Sequence, residues 1–261
     1  MTFATSLYLA SAVLAFDRYQ EAPMLKARVD AGELPPVEER LPEDVMVVNL
    51  GTYGIHQIGH YGGSLRFDSV NAPGVQGFTD LTVPFFDSGH GKYLPLVFKG
   101  YEVTEDFRSW TFLLRKGLKW SDGHPFTSED IIFWKDASAL NLELTPVRPK
   151  ELMLDGKLAV VEALDPYRVR FTFEAPNITY LGQIGRMERS ITGCPKHYLT
   201  QFHPDYTDEE SLRERIREAG MDTWTQLWEA KMDRMQKQLD TMQAEVLGML
   251  RQLVGEKKKE K

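Results

Sequence analysis

Hydrophobic and polar positions alternate most cleanly at two places in the middle of this 261-residue chain. Trp110, Phe112 and Leu114 alternate with Thr111, Leu113 and Arg115, a period of two that predicts a strand. Lys116-Gly117 then supplies a turn, Leu118 to Trp120 a return, and Asp122-Gly123 a second tight turn. Further on, Lys157 to Leu164 predicts a strand, Asp165-Pro166 its turn, and Arg168 to Glu174 the return. In that return Val169, Phe171 and Phe173 point one way while Arg168, Arg170, Thr172 and Glu174 point the other. Such alternation implies an antiparallel sheet with one face in water.

Helical signals flank these hairpins. Thr127 with Asp130 three residues on forms an acidic capping box, so a helix should start near Ser128. It would present Ile131, Ile132 and Trp134 to a core and break near Asn141. Thr207-x-x-Glu210 predicts another start, with Gly220 closing that helix, and Thr223-x-x-Gln226 a third. Toward the N-terminus, Met24, Leu25 and Val29 can share one helical face, with Gly32 as the stop. Pro35-Pro36 and Pro42 then predict an extended arm. Gly62-Gly63 opens a short strand, Ser64 to Phe67, and from there to Gly91 the chain reads as loops. The fold class is mixed α/β (α+β), with strands in hairpins and helices packed beside them.

From Trp228 the apolar spacing changes again. Trp228, Met232, Met235, Leu239, Met242, Val246, Met249 and Leu253 follow one another at intervals of four and three, a heptad-like seam. A helix of some thirty residues would span about 45 Å. Three readings stand: the helix folds back onto the body, it self-associates through 228–253 or binds a partner helix, or it lies on a membrane surface. The methionines favour adaptable packing over a single register.

Composition narrows the function. Hydrophobic residues make up 42% and charged residues 26%, as in an ordinary globular protein. No run approaches the roughly 18 apolar residues of a spanning helix. The net charge of −7 divides into about −10 for residues 1–230 and +3 for residues 231–261, an acidic body with a basic tail. That balance argues against a nucleic-acid partner. The one cysteine, Cys194, excludes an internal disulfide framework and a cysteine-rich zinc site. Ser6 to Ala15 has the size of a secretory h-region, but no Lys or Arg precedes it. It reads as a degenerate signal peptide or as a buried N-terminal helix.

Three constellations have catalytic spacing. His56 and His60 are four apart, but Gln57 replaces the general-base glutamate of a zinc helix and the nearby glycines oppose helix formation. Ser88-Gly89-His90-Gly91 lacks a nucleophile elbow and reads as a turn. Cys194 and His197 in Cys194-Pro195-Lys196-His197 would need an orienting third group and an exposed thiolate. None is a strong catalytic signature, so no enzyme and no cofactor is expected.

One stretch carries a family likeness. YEVTEDFRSWTFLLRKGLKWSDGHPFTSEDIIFW, Tyr101 to Trp134, closely resembles the signature region of family 5 extracellular solute-binding proteins, the peptide-binding subunits of bacterial ABC importers. The pattern L-R-x-G-x-x-W/F-x-D-G followed by P-x-T-x-x-D is met by Leu114, Arg115, Gly117, Trp120, Asp122, Gly123, Pro125, Thr127 and Asp130. EAPML…ELPPVEERLPE, GHYGGSLRF, VEALDPYRVRFTFEAPN and the stretch from Cys194 to Lys231 resemble a long-armed branch of the same family. Two features depart from it. Pro95-Leu96-Val97-Phe98-Lys99-Gly100-Tyr101 stands where the family has Pro-x-Leu-Ala-x-x-Trp, and family members are much longer.

The resemblance implies a periplasmic-binding-protein-like first lobe over 62–230 with an inserted antiparallel hairpin domain at about 75–190. It follows a helix and proline-rich arm (19–61) and a signal-peptide remnant (1–18), and precedes a heptad-patterned tail (231–261). The second lobe is expected to be missing. The implied partners are a peptide or related small solute and ABC permease subunits, in a periplasmic or extracytoplasmic setting. The signature residues are expected to be structural: Arg115 a sheet-surface charge, Asp122-Gly123 a turn, Thr127 and Asp130 helix caps. Ligand contacts are not assigned to individual residues. The rival expectation is an interaction protein assembled through its heptad helix.

Overall fold

In the computed structural model, the described residues are Tyr19, 21–45, 85–87, 93–185 and 191–235. The chain divides into two compact units, Met1–Leu41 and Pro42–Lys261. Ser6 to Ala15, the strand at Ser64 to Phe67, both histidine constellations (His56/His60 and Ser88/His90) and the heptad positions beyond Met235 lie outside the described residues.

In the first unit, α1 (Pro23–Asp30) begins with proline in its first turn, where no helical N–H is needed. Gly32, at φ +73°, ends it through bonds from Gly32 N to Val29 O and from Glu33 N to Arg28 O. The expected extended arm is interrupted. Pro36 is the N-cap of a single helical turn, α2 (Val37–Arg40). Proline fixes only its own φ and its predecessor's, which leaves the residues after it free to turn. Arg40 fastens the turn by pairing with Glu21 and donating to Pro35 O at 2.9 Å.

The second unit opens, among the described residues, with an antiparallel pair, β1 (Phe85–Asp87), inside what reads as loop, and β2 (Tyr93–Pro95), just beyond it. Its centre is a four-stranded antiparallel sheet in the order β3-β4-β8-β7, built from β3 (Phe98–Val103), β4 (Ser109–Leu114), β7 (Val160–Asp165) and β8 (Arg168–Thr172). β5 (Met153–Leu154) and β6 (Lys157–Leu158) form a small separate hairpin. The expected single strand from Lys157 is therefore split at Ala159, whose N–H donates to Leu152 O at 2.8 Å.

The β7–β8 hairpin forms as its alternation predicts, with Val161 opposite Phe171 and Ala163 opposite Val169. β4 pairs differently. Its partners are β3 and β8, not Leu118–Trp120. That segment instead meets residues 124–126, through Trp120 N to His124 O and Phe126 N to Leu118 O, both 2.8 Å. Asp122-Gly123 closes this small loop tightly, so nothing remains to pair with β4.

One sheet face buries Trp110, Phe112, Leu114, Val169 and Phe171. Against it lies α3 (Ser128–Phe133), which continues as a wider π turn over Trp134–Ala139 and ends at Leu140, close to the expected break. Ile131 is fully buried, and Phe133 and Trp134 nearly so, while Ile132 is only partly buried. Ser128 N donates to Pro166 O at 2.9 Å and Ser128 Oγ to Asp165 O at 2.6 Å, so the β7–β8 turn satisfies the start of α3. Tyr180 of α4 (Tyr180–Ile184) plugs the sheet end, its ring 4.7 Å from Phe173 and 5.6 Å from Phe171. The other sheet face carries polar pairs, among them Ser109 with Thr172 and Arg170 with Thr111.

α5 (Lys196–Leu199), α6 (Glu209–Glu218) and a helical stretch α7 over residues 224–235 complete the unit. The cap of α6 is Asp208, not Thr207: its carboxylate accepts Ser211 N at 2.8 Å. Gly220, at φ +67°, ends α6 as expected. Thr223 caps α7, accepting Gln226 N at 3.2 Å. Trp228 is 3% exposed, and Met232 and Met235 lie against the same core, so the described start of the heptad seam packs on the body.

Candidate functional site

The signature residues form one connected block. Leu114 is fully buried. Arg115 is not the sheet-surface charge its alternation suggests, being 8% exposed. β4 ends at Leu114, and beyond it the guanidinium turns inward. It donates to Leu96 O, to Pro95 O at 3.1 Å and to Asp44 O at 3.3 Å. Its five fixed donors suit it to gathering several carbonyls at once. Burial lowers its pKa, opposed by Asp44. Asp44 also accepts from Lys99 Nζ at 2.8 Å, the contact that most lowers its own pKa.

Gly117 takes φ +78°, and a Cβ there would stand 2.6 Å from Glu43 N. Two independent reasons thus demand glycine. Asp122 Oδ1 accepts His124 N at 3.0 Å, and Gly123 at φ +89° completes the turn. Asp122 Oδ2 lies 2.6 Å from His197 Nε2 on α5, a hydrogen bond that lowers the Asp122 pKa. The rings of His124 and His197 stack with centroids 3.9 Å apart at 9°. Trp120 packs on Phe126 at 5.3 Å, and Pro125 bridges to Lys119.

The predicted capping box is formed: Thr127 N donates to Asp130 Oδ2 at 2.9 Å. The other carboxylate oxygen, Oδ1, accepts Lys196 N at 3.0 Å and so holds the start of α5 as well. Asp130 is only 4% exposed. Cys194 is buried beside it, and burial and the Asp130 charge push its thiol up to about 12. A thiol held protonated at neutral pH is no nucleophile. His197 bonds to Asp122, so the Cys194/His197 pair has no catalytic geometry. Among the described residues no cluster of His, Cys, Asp and Glu fits a metal ion.

The sequence missed the union of His197 with Asp122 and His124. His197 stands out in sequence only beside Cys194, and no spacing rule links positions 75 residues apart.

A separate cleft of about 590 Å³ opens at the end of the sheet, between the β3–β4 corner and α4. Tyr101, Val103, Phe107 and Trp110 form one side, Ile178, Thr179 and Leu181 to Gln183 the other, with Lys150 and Glu151 beside them. Phe107 adopts φ +55°, and its carbonyl accepts Asn177 N at 2.9 Å and Trp110 Nε1 at 3.3 Å. Those bonds fix a conformation that a bulky residue rarely adopts.

Residues 92–225 match the family described as bacterial extracellular solute-binding proteins, family 5 Middle. The periplasmic alpha-galactoside-binding protein of Rhizobium meliloti (strain 1021) is 29% identical over 213 residues, covering 74% of this chain and 30% of the relative. A solved oligopeptide-binding protein OppA superposes with a TM-score of 0.66 at 37% identity, over 81% of this chain and 32% of its own. The periplasmic binding protein MelB of Agrobacterium fabrum C58, solved with stachyose, gives 0.55 at 25% identity, over 82% and 33%. This chain thus spans about a third of the length of each of these proteins. Such family members are non-enzymatic, periplasmic or extracytoplasmic binding proteins of transport systems. Among the described residues no helix is long and apolar enough to cross a membrane. With the match covering more than half of its residues and the signature assembled in one block, the chain belongs to the family 5 bacterial extracellular solute-binding proteins.

Proposed function

We propose that this chain carries part of the solute-capturing component of an ABC-type importer and hands its cargo to permease subunits. The observation that carries this reading is the family match over residues 92–225, which spans the whole signature block. The four-stranded sheet is the inserted hairpin domain of the first lobe, at about residues 75–190. Its job is rigidity: Arg115, Asp122 and Asp130 each join segments distant in sequence. Capture between two lobes needs such a body for the moving lobe to close against.

The cargo is a peptide or a related small solute. A peptide would be held largely through backbone hydrogen bonds in the manner of strand addition. The relatives differ in what their names state, oligopeptide for OppA and alpha-galactoside for the Rhizobium protein. Mass spectrometry of small molecules released from the protein purified from its native cells tests the reading. Peptides or oligosaccharides at near-stoichiometric yield support it, and their absence under gentle isolation counts against it.

A further inference from the structure

The cleft at the sheet end combines an apolar wall with a carboxylate that, among the described residues, has almost no partner. Tyr101, Val103, Phe107 and Ile178 are all exposed here, Ile178 at 68%. Contiguous exposed apolar surface of this kind marks a binding place. Glu151 lines the same cleft with its side chain 16% exposed, and among the described residues it accepts no hydrogen bond. Among the described residues its nearest cation is Lys150 Nζ at 4.0 Å, on a side chain 89% exposed. A contact that long and that solvated neutralises little. Just behind, the fully buried Tyr180 hydroxyl has no hydrogen-bond partner among the described residues, and it is near enough for the Glu151 charge to raise its pKa beyond what burial does.

We propose that this cleft binds a primary alkylammonium group, its cation seated on Glu151 and its apolar stem against Tyr101, Val103 and Phe107. The ammonium supplies the donors that the carboxylate lacks. Aromatic faces attract a cation and tolerate an alkyl stem, whereas a carboxylate ligand would meet Glu151 as a like charge. The volume, about 590 Å³, lies within the roughly 300–1,000 Å³ of small-molecule sites. The site lies within one compact unit and does not depend on capture between two lobes.

The test is an NMR titration of the full chain at pH 7 and fixed ionic strength, following the indole N–H of Trp110, assigned by its loss in Trp110→Phe. Hexylammonium, hexanol and hexanoate share a stem and differ in charge. Hexylammonium should shift the signal saturably, hexanol should bind about tenfold more weakly, the scale of one charged hydrogen bond, and hexanoate should not bind. Nα-acetyl-lysine amide distinguishes a peptide lysine from a free amine as the source. Glu151→Gln should abolish the preference for hexylammonium over hexanol while retaining native signal dispersion, with Glu151→Asp as the substitute if it does not fold. Tyr101→Ala should weaken both ligands. Equal binding of hexylammonium and hexanol, an unchanged preference in Glu151→Gln, or a stronger response to raffinose would each overturn the proposal. Failure of the capture reading would leave these outcomes unaffected.

Discussion

The carboxylate of Asp122 stands 2.6 Å from Nε2 of His197, joining the signature turn to a helix 75 residues away. Asp122 also accepts the His124 N–H, and its side chain is 56% exposed, so solvent screens the pair. Asp122→Ala should cost about 1 kcal/mol, from the lost turn and tertiary bonds together. His197→Ala should cost a similar amount through the lost stack on His124. Urea unfolding of the two single variants and the double variant measures the coupling, which should be nonzero because the residues touch.

Asp130 is the more demanding carboxylate, because it serves two backbone donors in a buried setting. Thr127→Ala should cost about 1 kcal/mol, the usual value of an N-cap. Asp130→Ala should cost about 2–3 kcal/mol, since Thr127 N and Lys196 N both lose their acceptor. Denaturant midpoints at pH 7 should rank the variants in that order, and equal midpoints would show that the link to α5 contributes nothing.

Gly117→Ala should destabilise by more than the roughly 1 kcal/mol of a simple left-handed penalty, because the new Cβ meets Glu43 N at 2.6 Å. Gly123→Ala supplies the control. Its φ is also positive, at +89°, but a Cβ there would meet nothing within 4 Å. The difference between the two thermal shifts therefore reads the close approach of residues 42–43 by itself.

His203 supplies a pH dependence. It is fully buried, its rings-on-edge neighbours being Tyr206, Trp224 and Trp228 at 5.2, 4.9 and 5.5 Å. Nε2 lies 3.1 Å from Ala137 O and Nδ1 accepts Asp205 N at 3.2 Å, an arrangement suited to the neutral ring. Burial lowers its pKa, opposed by Asp205. A folded value below the unfolded one of about 6.5 leaves this contribution intact above that pH. It is lost as pH falls, because the unfolded chain takes up the proton first. Melting temperature should drop between pH 7 and 5, and His203→Gln should flatten that part of the profile.

How legible was all this in sequence? The β7–β8 hairpin, the Thr127 cap and the closure at Gly220 are local, set by alternation over a few residues or by one side chain reaching three positions along. Those were readable. The pairing of β4 was not, because Leu118–Trp120 has the right composition for a return strand while Asp122-Gly123 turns it onto residues 124–126 instead. Thr207 and Asp208 are adjacent capping types, and a spacing rule cannot choose between them.

The amino-acid sequence by itself determined the β7–β8 hairpin, the capped helix starting at Ser128, the family signature and the absence of a cysteine framework, because each depends on short-range periodicity or on composition. Tertiary structure decided the role of the charged signature residues. Arg115 alternates as a surface residue would, yet it is buried, with the carbonyls of residues 44, 95 and 96 converging on it. His197 is assigned to Asp122 and not to Cys194 by the docking of α5. Glu151 acquires its place in an aromatic cleft only once β3 and α4 come together. In each case the deciding partner lies far along the chain, and desolvation on packing, which no local pattern encodes, sets which polar groups must meet.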